Sequence, residues 1–332
     1  MAAPRLTIDQ YFEGIKQTDT SVLSRGITLV ESKSPKDREL AFELIKRVLP
    51  FTGKSIRIGI TGSPGVGKST FIDGFVEYLV NEKKIKTAVL AIDPSSKVSG
   101  GSILGDKTRM ESIVGSHDVF IRPSPAGLEL GGVGAATFET MLLCEAAGYE
   151  LIIVETVGVG QSETVVNDLT DFLIFLTIAG AGDELQGIKR GIMETVDLVV
   201  VNKADTLEGK TFEKLRLNFK NALHLFPGKA SGREVSVLSC SALQKIGFEK
   251  IWNEISAFEI VVKGNGHFEN NRMHQKKLWL QKTLERSILE YIYQNEEIKN
   301  QKEYFEKLLS DQNVNPLEAA SRVFNIFKSR FQ

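Results

Sequence analysis

Apolar residues recur at helical spacings through the first fifty positions. Ile8, Tyr11, Phe12 and Ile15 form one stripe, and Leu40, Leu44 and Val48 form a second, so this stretch is expected to be helical. Ser34-Pro35-Lys36-Asp37 opens the second stripe with a capping residue, a proline suited to the first helical position, and an acid near the positive end of the helix dipole. From Lys54 the pattern changes. Short apolar runs at Ile56–Ile60, Ala88–Ile92, Val119–Ile121, Leu151–Val154, Phe172–Ile178, Leu198–Val201 and Val235–Leu238 alternate with amphipathic stretches. Strands buried on both faces read this way, which predicts an α/β fold with a doubly wound, mostly parallel sheet. Beyond about residue 263 the strand-like runs cease, and Leu280, Leu284, Ile288 and Ile292 recur every four residues. Asn315-Pro316-Leu317-Glu318 reads as a further helix start, with Glu318 placed to reach back to the cap. The expected organisation is a helical extension over 1–53, an α/β domain over 54–262 and a second helical extension over 263–332. The apolar stripe of the last part either packs on its own domain or offers a dimer surface.

Composition narrows the class. Of 332 residues, 42% are hydrophobic and 25% charged, which is ordinary for a globular protein and unlike disordered or collagenous chains. The net charge is -1, with Lys and Arg interspersed among Asp and Glu, so no nucleic-acid partner is expected. Cys144 and Cys240 stand alone, without a C-x-x-C spacing, which argues against a disulfide framework or a zinc site. No apolar run approaches the length of a membrane span, and the first residues carry no secretory or organellar presequence pattern. No membrane association is expected, and the cytoplasm is the expected location.

The chemistry begins after the first strand-like run. Gly62-Ser63-Pro64-Gly65-Val66-Gly67-Lys68-Ser69 fits G-x-x-x-x-G-K-[ST], with a strand before it and a helix-like stretch, Ser69–Val80, after it. That context makes it a P-loop. Its glycines let the backbone curl until several N–H groups face phosphate oxygens, and the helix N-terminus adds to the attraction. Lys68 would reach the β- and γ-phosphates, and the Ser69 hydroxyl would ligate Mg²⁺.

The base is read elsewhere. Asn202-Lys203-Ala204-Asp205 follows the Leu198–Val201 run as an N-K-x-D motif at a strand end. The Asp205 carboxylate can accept from both N1–H and the 2-amino group of guanine, a donor pair adenine lacks, and a site built for such bonds rejects a base without them. The Lys203 stem would lie along the base, and Asn202 would tie the loop together. Ser239-Cys240-Ser241-Ala242-Leu243, after the Val235–Leu238 run, fits a short loop that supports the base through backbone amides. Glu155 ends the Leu151–Val154 run, and Glu155-Thr156-Val157-Gly158 occupies the place of a D-x-x-G switch with Glu for Asp. Its carboxylate can hold Mg²⁺ directly or through water. Asp93, at the end of Ala88–Ile92, and Asp106, in a glycine-rich stretch, are further candidates for the metal sphere or, alternatively, turn and cap residues.

Longer motifs add a resemblance: Asp93-Pro94-Ser95-Ser96, Ser99-Gly100-Gly101-Ser102-Ile103-Leu104-Gly105-Asp106-Lys107-Thr108-Arg109-Met110, Arg122-Pro123-Ser124-Pro125, Glu155-Thr156-Val157-Gly158-Val159-Gly160-Gln161-Ser162-Glu163 and Gly182-Asp183-Glu184-Leu185-Gln186-Gly187-Ile188-Lys189-Arg190-Gly191-Ile192. Together, from roughly Ser24 to Trp252, they resemble the MeaB/ArgK family of methylmalonyl-CoA mutase-associated GTPases. The resemblance implies a homodimeric GTPase acting as chaperone to an adenosylcobalamin-dependent acyl-CoA mutase, gating cofactor delivery and protecting the mutase. It also implies that Gly62 to Thr70, Asp205 and Ser241 to Leu243 contact GTP or GDP, and that Ser69, Asp93, Asp106 and Glu155 serve the metal. Lys189 falls in the family's switch segment and could supply the positive charge of an arginine finger. The chain departs from commoner family patterns between Ser124 and Gly131.

Hydrolysis is expected to proceed by in-line attack of water on the γ-phosphate, with Lys68, Glu155 and Lys189 as the catalytic set. Where small GTPases place Gln directly after the switch glycine, Val159 and Gly160 precede Gln161 here, so slow intrinsic turnover completed by a partner is expected. Rival readings are a nucleotide-dependent scaffold and a kinase linked to amino-acid transport, the latter disfavoured by N-K-x-D. A nickel-insertion GTPase would need His or Cys clusters, whereas the four histidines are scattered. A MinD-like ATPase would want Lys in place of Ser63. The absence of D-x-H-x-x-G marks the chain as an escort and not a cobalamin-binding mutase.

Overall fold

The structure is a computed structural model that describes residues 5–32, 34–93, 116–125, 132–156, 162–179, 190–207, 209–310 and 314–329. The N-terminal stripes form helices α1 (Ile8–Lys16) and α3 (Pro35–Val48), with α2 (Thr20–Glu31) between them. Thr7 and Gln10 close a capping box at α1. Ser34 holds the N-cap position of α3, but its hydroxyl makes no capping bond. Ser32 Oγ instead donates to Asp37 at 2.6 Å and accepts from the Ser34 amide at 3.2 Å. Ser32 thus ties the approach to α3 to the Asp37 side chain, and the helix has no side-chain cap.

All seven apolar runs are strands: β1 (Ile56–Gly62), β2 (Thr87–Asp93), β3 (Val119–Pro125), β4 (Leu151–Thr156), β5 (Phe172–Ile178), β6 (Leu198–Asn202) and β7 (Ser236–Ser239). They form one sheet in the order β3-β2-β4-β1-β5-β6-β7, and every pairing is parallel. The doubly wound α/β fold is therefore present. Alternation along each strand feeds the two faces. Ile58, Ile60, Ile153, Leu198 and Val200 bury against α4 (Lys68–Tyr78) and α9 (Phe248–Gly264), where Phe71, Phe75 and Phe248 cluster. Ile152 and Val154 face the other side, under α5 (Gly132–Ala146), α6 (Ser162–Leu169) and α1 to α3. Val199 and Val201 pack with α7 (Arg190–Thr195) and α8 (Gly209–Leu223).

Chain order reverses at β1, which lies between β4 and β5. In open parallel sheets ligands bind beyond the carboxyl ends of the strands at such a switch point.

At the opposite end, helix α10 (His267–Gln294) is fastened across the strand starts. Arg57 of β1 and Glu145 of α5 are both buried and lie 3.0 Å apart. Arg272 of α10 donates to Asp171 at 2.7 Å and to the Ser55 carbonyl at 2.7 Å. Gln275 accepts from Arg57 at 3.1 Å, and Trp279 stacks on Phe138 at 4.9 Å. The inward face of α10 is thus largely polar and aromatic, whereas Leu280, Leu284 and Ile288 are 70%, 57% and 47% exposed. Of the two readings of that stripe, packing on its own domain is not what the structure has. Helices α11 (Glu296–Ser310) and α12 (Pro316–Lys328) follow. Asn315 caps α12 by accepting from the Leu317 amide at 2.8 Å. Glu318 pairs with Arg322 one turn on instead of reaching back, because the guanidinium offers a charged partner on the same helix face. Among the described residues no helix is long and apolar enough to cross a membrane.

Candidate nucleotide site

β1 ends in Gly62, whose φ of +155° and position leave no room for a side chain. A Cβ there would lie 2.4 Å from the Leu176 carbonyl oxygen of β5. The chain then turns through Ser63, Pro64 and Gly65, all exposed, to the buried Val66 and the left-handed Gly67 (φ +87°), which is the N-cap of α4. A Cβ on Gly67 would meet the Asn202 amide nitrogen at 2.9 Å. These glycines permit the tight turn that leads into the N-terminus of α4, and a helix N-terminus attracts anions. Lys68 Nζ donates back into the loop, to the Gly62 carbonyl at 2.7 Å and the Ser63 carbonyl at 3.4 Å. Burial lowers its pKa, and the nearby Glu155 charge opposes that shift. Ser69 is half-buried and Thr70 exposed on the first turn of α4.

Glu155 is buried near the end of β4, in register with Ile60 of β1 and Ala91 of β2. This sets its carboxylate beneath the cradle, one strand away from it. Asp93 ends β2 beside Pro125; its backbone lies at the same sheet edge, and its side chain is outside the described residues, as are Asp106, Gly158, Gln161 and Lys189. Among the described residues there is no cluster of three or more His, Cys, Asp or Glu side chains.

On the other side of β1, Asn202 ends β6 and is buried between two loops. Its Nδ2 donates to the Val66 carbonyl at 2.9 Å, and its Oδ1 accepts from the Ala242 amide at 3.1 Å. Lys203, left-handed at φ +58°, donates from Nζ to the Gly65 carbonyl at 3.0 Å. Asp205 is exposed and accepts from Ser241 Oγ at 2.5 Å. The Ala204 amide donates to the Cys240 carbonyl at 3.0 Å. The expected pieces, 62–70, 202–205 and 241–243, therefore converge at one edge of the sheet. Sequence gives Cys240 no role of its own, yet its thiol also lies 3.4 Å from Asn202 Oδ1. An ordinary-looking strand-end cysteine carries no sequence signal for that contact.

The family model described as methylmalonyl Co-A mutase-associated GTPase MeaB matches residues 23–297. The chain belongs to the MeaB family. It is similar to the Escherichia coli (strain K12) protein named GTPase ArgK, 44% identical over 291 residues, 88% of either chain. It is also similar to the mouse protein named methylmalonic aciduria type A homolog, mitochondrial, 38% identical over 333 residues, 97% of this chain and 80% of that one. Among solved structures, one described as a LAO/AO transport system kinase matches with a TM-score of 0.71 and 33% identity, covering 99% of this chain and 100% of that one.

The protein is thus a MeaB-family GTPase that binds guanine nucleotide and hydrolyses GTP. For this GTPase the exposed Asp205 carboxylate gives a direct check on base reading. If Asp205 is the acceptor that the N-K-x-D motif predicts, Asp205→Asn makes it half donor, and preference should move from guanosine towards xanthosine nucleotides by about one to two orders of magnitude for a lost charged bond. Competition between GDP and XDP measures it, and a variant that discriminates as the parent does refutes the assignment.

Proposed function

We propose that this GTPase holds the phosphates of GTP in the Gly62–Thr70 cradle, with Lys68 as their charged partner, and reads guanine with Asp205 against the Ser241–Leu243 loop. Asn202 and Lys203 then act mainly by fixing that loop to the cradle. The observation that carries this reading is the hydrogen-bonded closure of Asn202 onto both Val66 and Ala242, which makes one site of three separate motifs. The donors here also suit Mg²⁺, a hard cation that takes oxygen ligands: a serine hydroxyl on the first turn of α4 and a buried carboxylate at the end of β4. Ser69 and Glu155 would hold it, with Asp93 and Asp106 completing or switching the set, and the bound ion would neutralise phosphate charge. Lys68 and the cradle amides stabilise the charge spreading over the γ-phosphoryl oxygens as water attacks in line. Lys189 joins them when the partner is engaged.

The activity serves a GTP-driven chaperone of an adenosylcobalamin-dependent acyl-CoA mutase, working as a homodimer. The family description and the names of the mammalian and nematode relatives support the mutase as partner. The outward apolar stripe of α10 supports a self-association surface. A kinase role in amino-acid transport, for which the solved relative is named, fits less well with a base loop arranged around Asp205. The test is to add purified methylmalonyl-CoA mutase. GTP hydrolysis should rise by at least an order of magnitude, a scale partner-supplied charge readily exceeds, and mutase inactivation during turnover should slow with GTP but not with a non-hydrolysable analogue. Equal hydrolysis with and without the mutase, and no protection, would remove the chaperone reading.

A further inference from the structure

The base loop is a small closed hairpin. Ser241 and Ile246 exchange both backbone hydrogen bonds, each at 3.0 Å, and Gly247 (φ +96°) ends it where a Cβ would strike the Ser239 carbonyl at 2.7 Å. Within the hairpin Lys245 takes a left-handed backbone at φ +56°. That conformation suits Gly or Asn, and a lysine there is disfavoured by its Cβ. Its side chain crosses to α4, where Nζ donates to both carboxylate oxygens of Glu77 at 2.7 Å each. Glu77 lies on the same helix whose N-terminus forms the phosphate cradle, nine positions after Lys68. Leu243, at the hairpin tip, is 79% exposed, so the tip gains nothing from core burial.

We infer that the Glu77–Lys245 pair is a positioning device that fixes the distance between the base loop and the phosphate cradle, and so governs how tightly the guanosine nucleotide is held. It rests on the base-reading role proposed above for Asp205 and Ser241. Glu77 and Lys245 lie outside the motifs assigned to the nucleotide and act through the hairpin. The half-exposed lysine places the pair in the range of surface ion pairs, whose effects are modest and sensitive to salt.

The test uses the purified full chain and four variants, Glu77→Gln, Lys245→Met, Lys245→Gly and the exchange Glu77→Lys/Lys245→Glu, with Asp205→Asn alongside. At low ionic strength the first three should release fluorescent GDP about two- to fivefold faster. They should raise KM for GTP by the same factor and leave kcat unchanged. High salt should bring the parent to their level, and the exchange should recover most of the loss. Lys245→Gly is decisive because it relieves the left-handed backbone: a merely structural residue would give an equal or more stable protein with unchanged release, whereas a positioning residue still gives faster release. Unchanged release in all three single variants, with Asp205→Asn shifting preference towards xanthosine, overturns this inference alone. Failure of Asp205→Asn to shift preference overturns the base-reading role and this inference with it.

Discussion

Lys68→Ala is expected to abolish tight nucleotide binding. The Lys68 ammonium is half-buried and is held over the cradle by the Gly62 and Ser63 carbonyls. It is thus directed before a phosphate arrives, and little of its binding energy is lost to ordering. Truncating one member of a desolvated, hydrogen-bonded charge pair costs about 2–5 kcal/mol, or roughly 30- to 5,000-fold in affinity. Burial lowers the Lys68 pKa, yet a phosphate in the cradle would favour the charged form. The loss should therefore persist across neutral pH. Calorimetric titration with GDP and GTP measures it, and thermal unfolding of the nucleotide-free variant separates lost affinity from a lost fold. Affinity equal to the parent's would end the P-loop reading of this turn.

The second large effect lies at the other end of the sheet. Glu145 accepts from Ser55 Oγ at 2.6 Å, the Gly53 amide at 2.7 Å and Arg57 Nε at 3.0 Å, with Arg272 at 3.4 Å. Glu145→Ala leaves the Arg57 guanidinium buried with its main counter-charge gone, which should cost about 3–5 kcal/mol of folding stability. Adding Arg57→Met should recover much of it, since removing both partners of a buried pair is far less costly than removing one. Denaturant unfolding of the two variants checks this, and a single variant no less stable than the double would refute it. The pH dependence has a defined sign. Burial raises the Glu145 pKa, but Arg57 and then Arg272 outweigh it, so the folded-state value is lowered. Its contribution is therefore complete above the unfolded carboxylate range, at about 4.3 and higher, and is lost as pH falls through the depressed folded value. Glu145→Gln should flatten that acid limb of the stability curve.

The strands were legible because each is an apolar run of a length no helix would need, bounded by polar segments. The cradle was legible because G-x-x-x-x-G-K-[ST] demands a backbone shape that few other sequences satisfy. The Asn202 and Asp205 loop could be placed at a strand end for the same reason. Contacts set by tertiary geometry were not legible. The pairing of Glu77 with Lys245, 168 positions apart, carries no local pattern, and neither does the clamp that joins Arg57 to Arg272. Residue type misled at α10. An apolar stripe at i, i+4 spacing usually marks the buried face, but here charged and amide side chains face inward because they meet the polar strand starts around Arg57 and Asp171. At α3 the local rule identified the N-cap position, but the Ser34 hydroxyl makes no capping bond there.

Asn202 uses both ends of one amide, donating to the cradle at Val66 and accepting from the base loop at Ala242. Neither loop can then move far without the other. A partner that pulled the hairpin outward would take the Ala242 N–H donor from that amide's oxygen and loosen its hold on the Val66 turn in the same motion. One handle would then serve both loops, and the exposed Leu243 at the hairpin tip is where a hand would reach it.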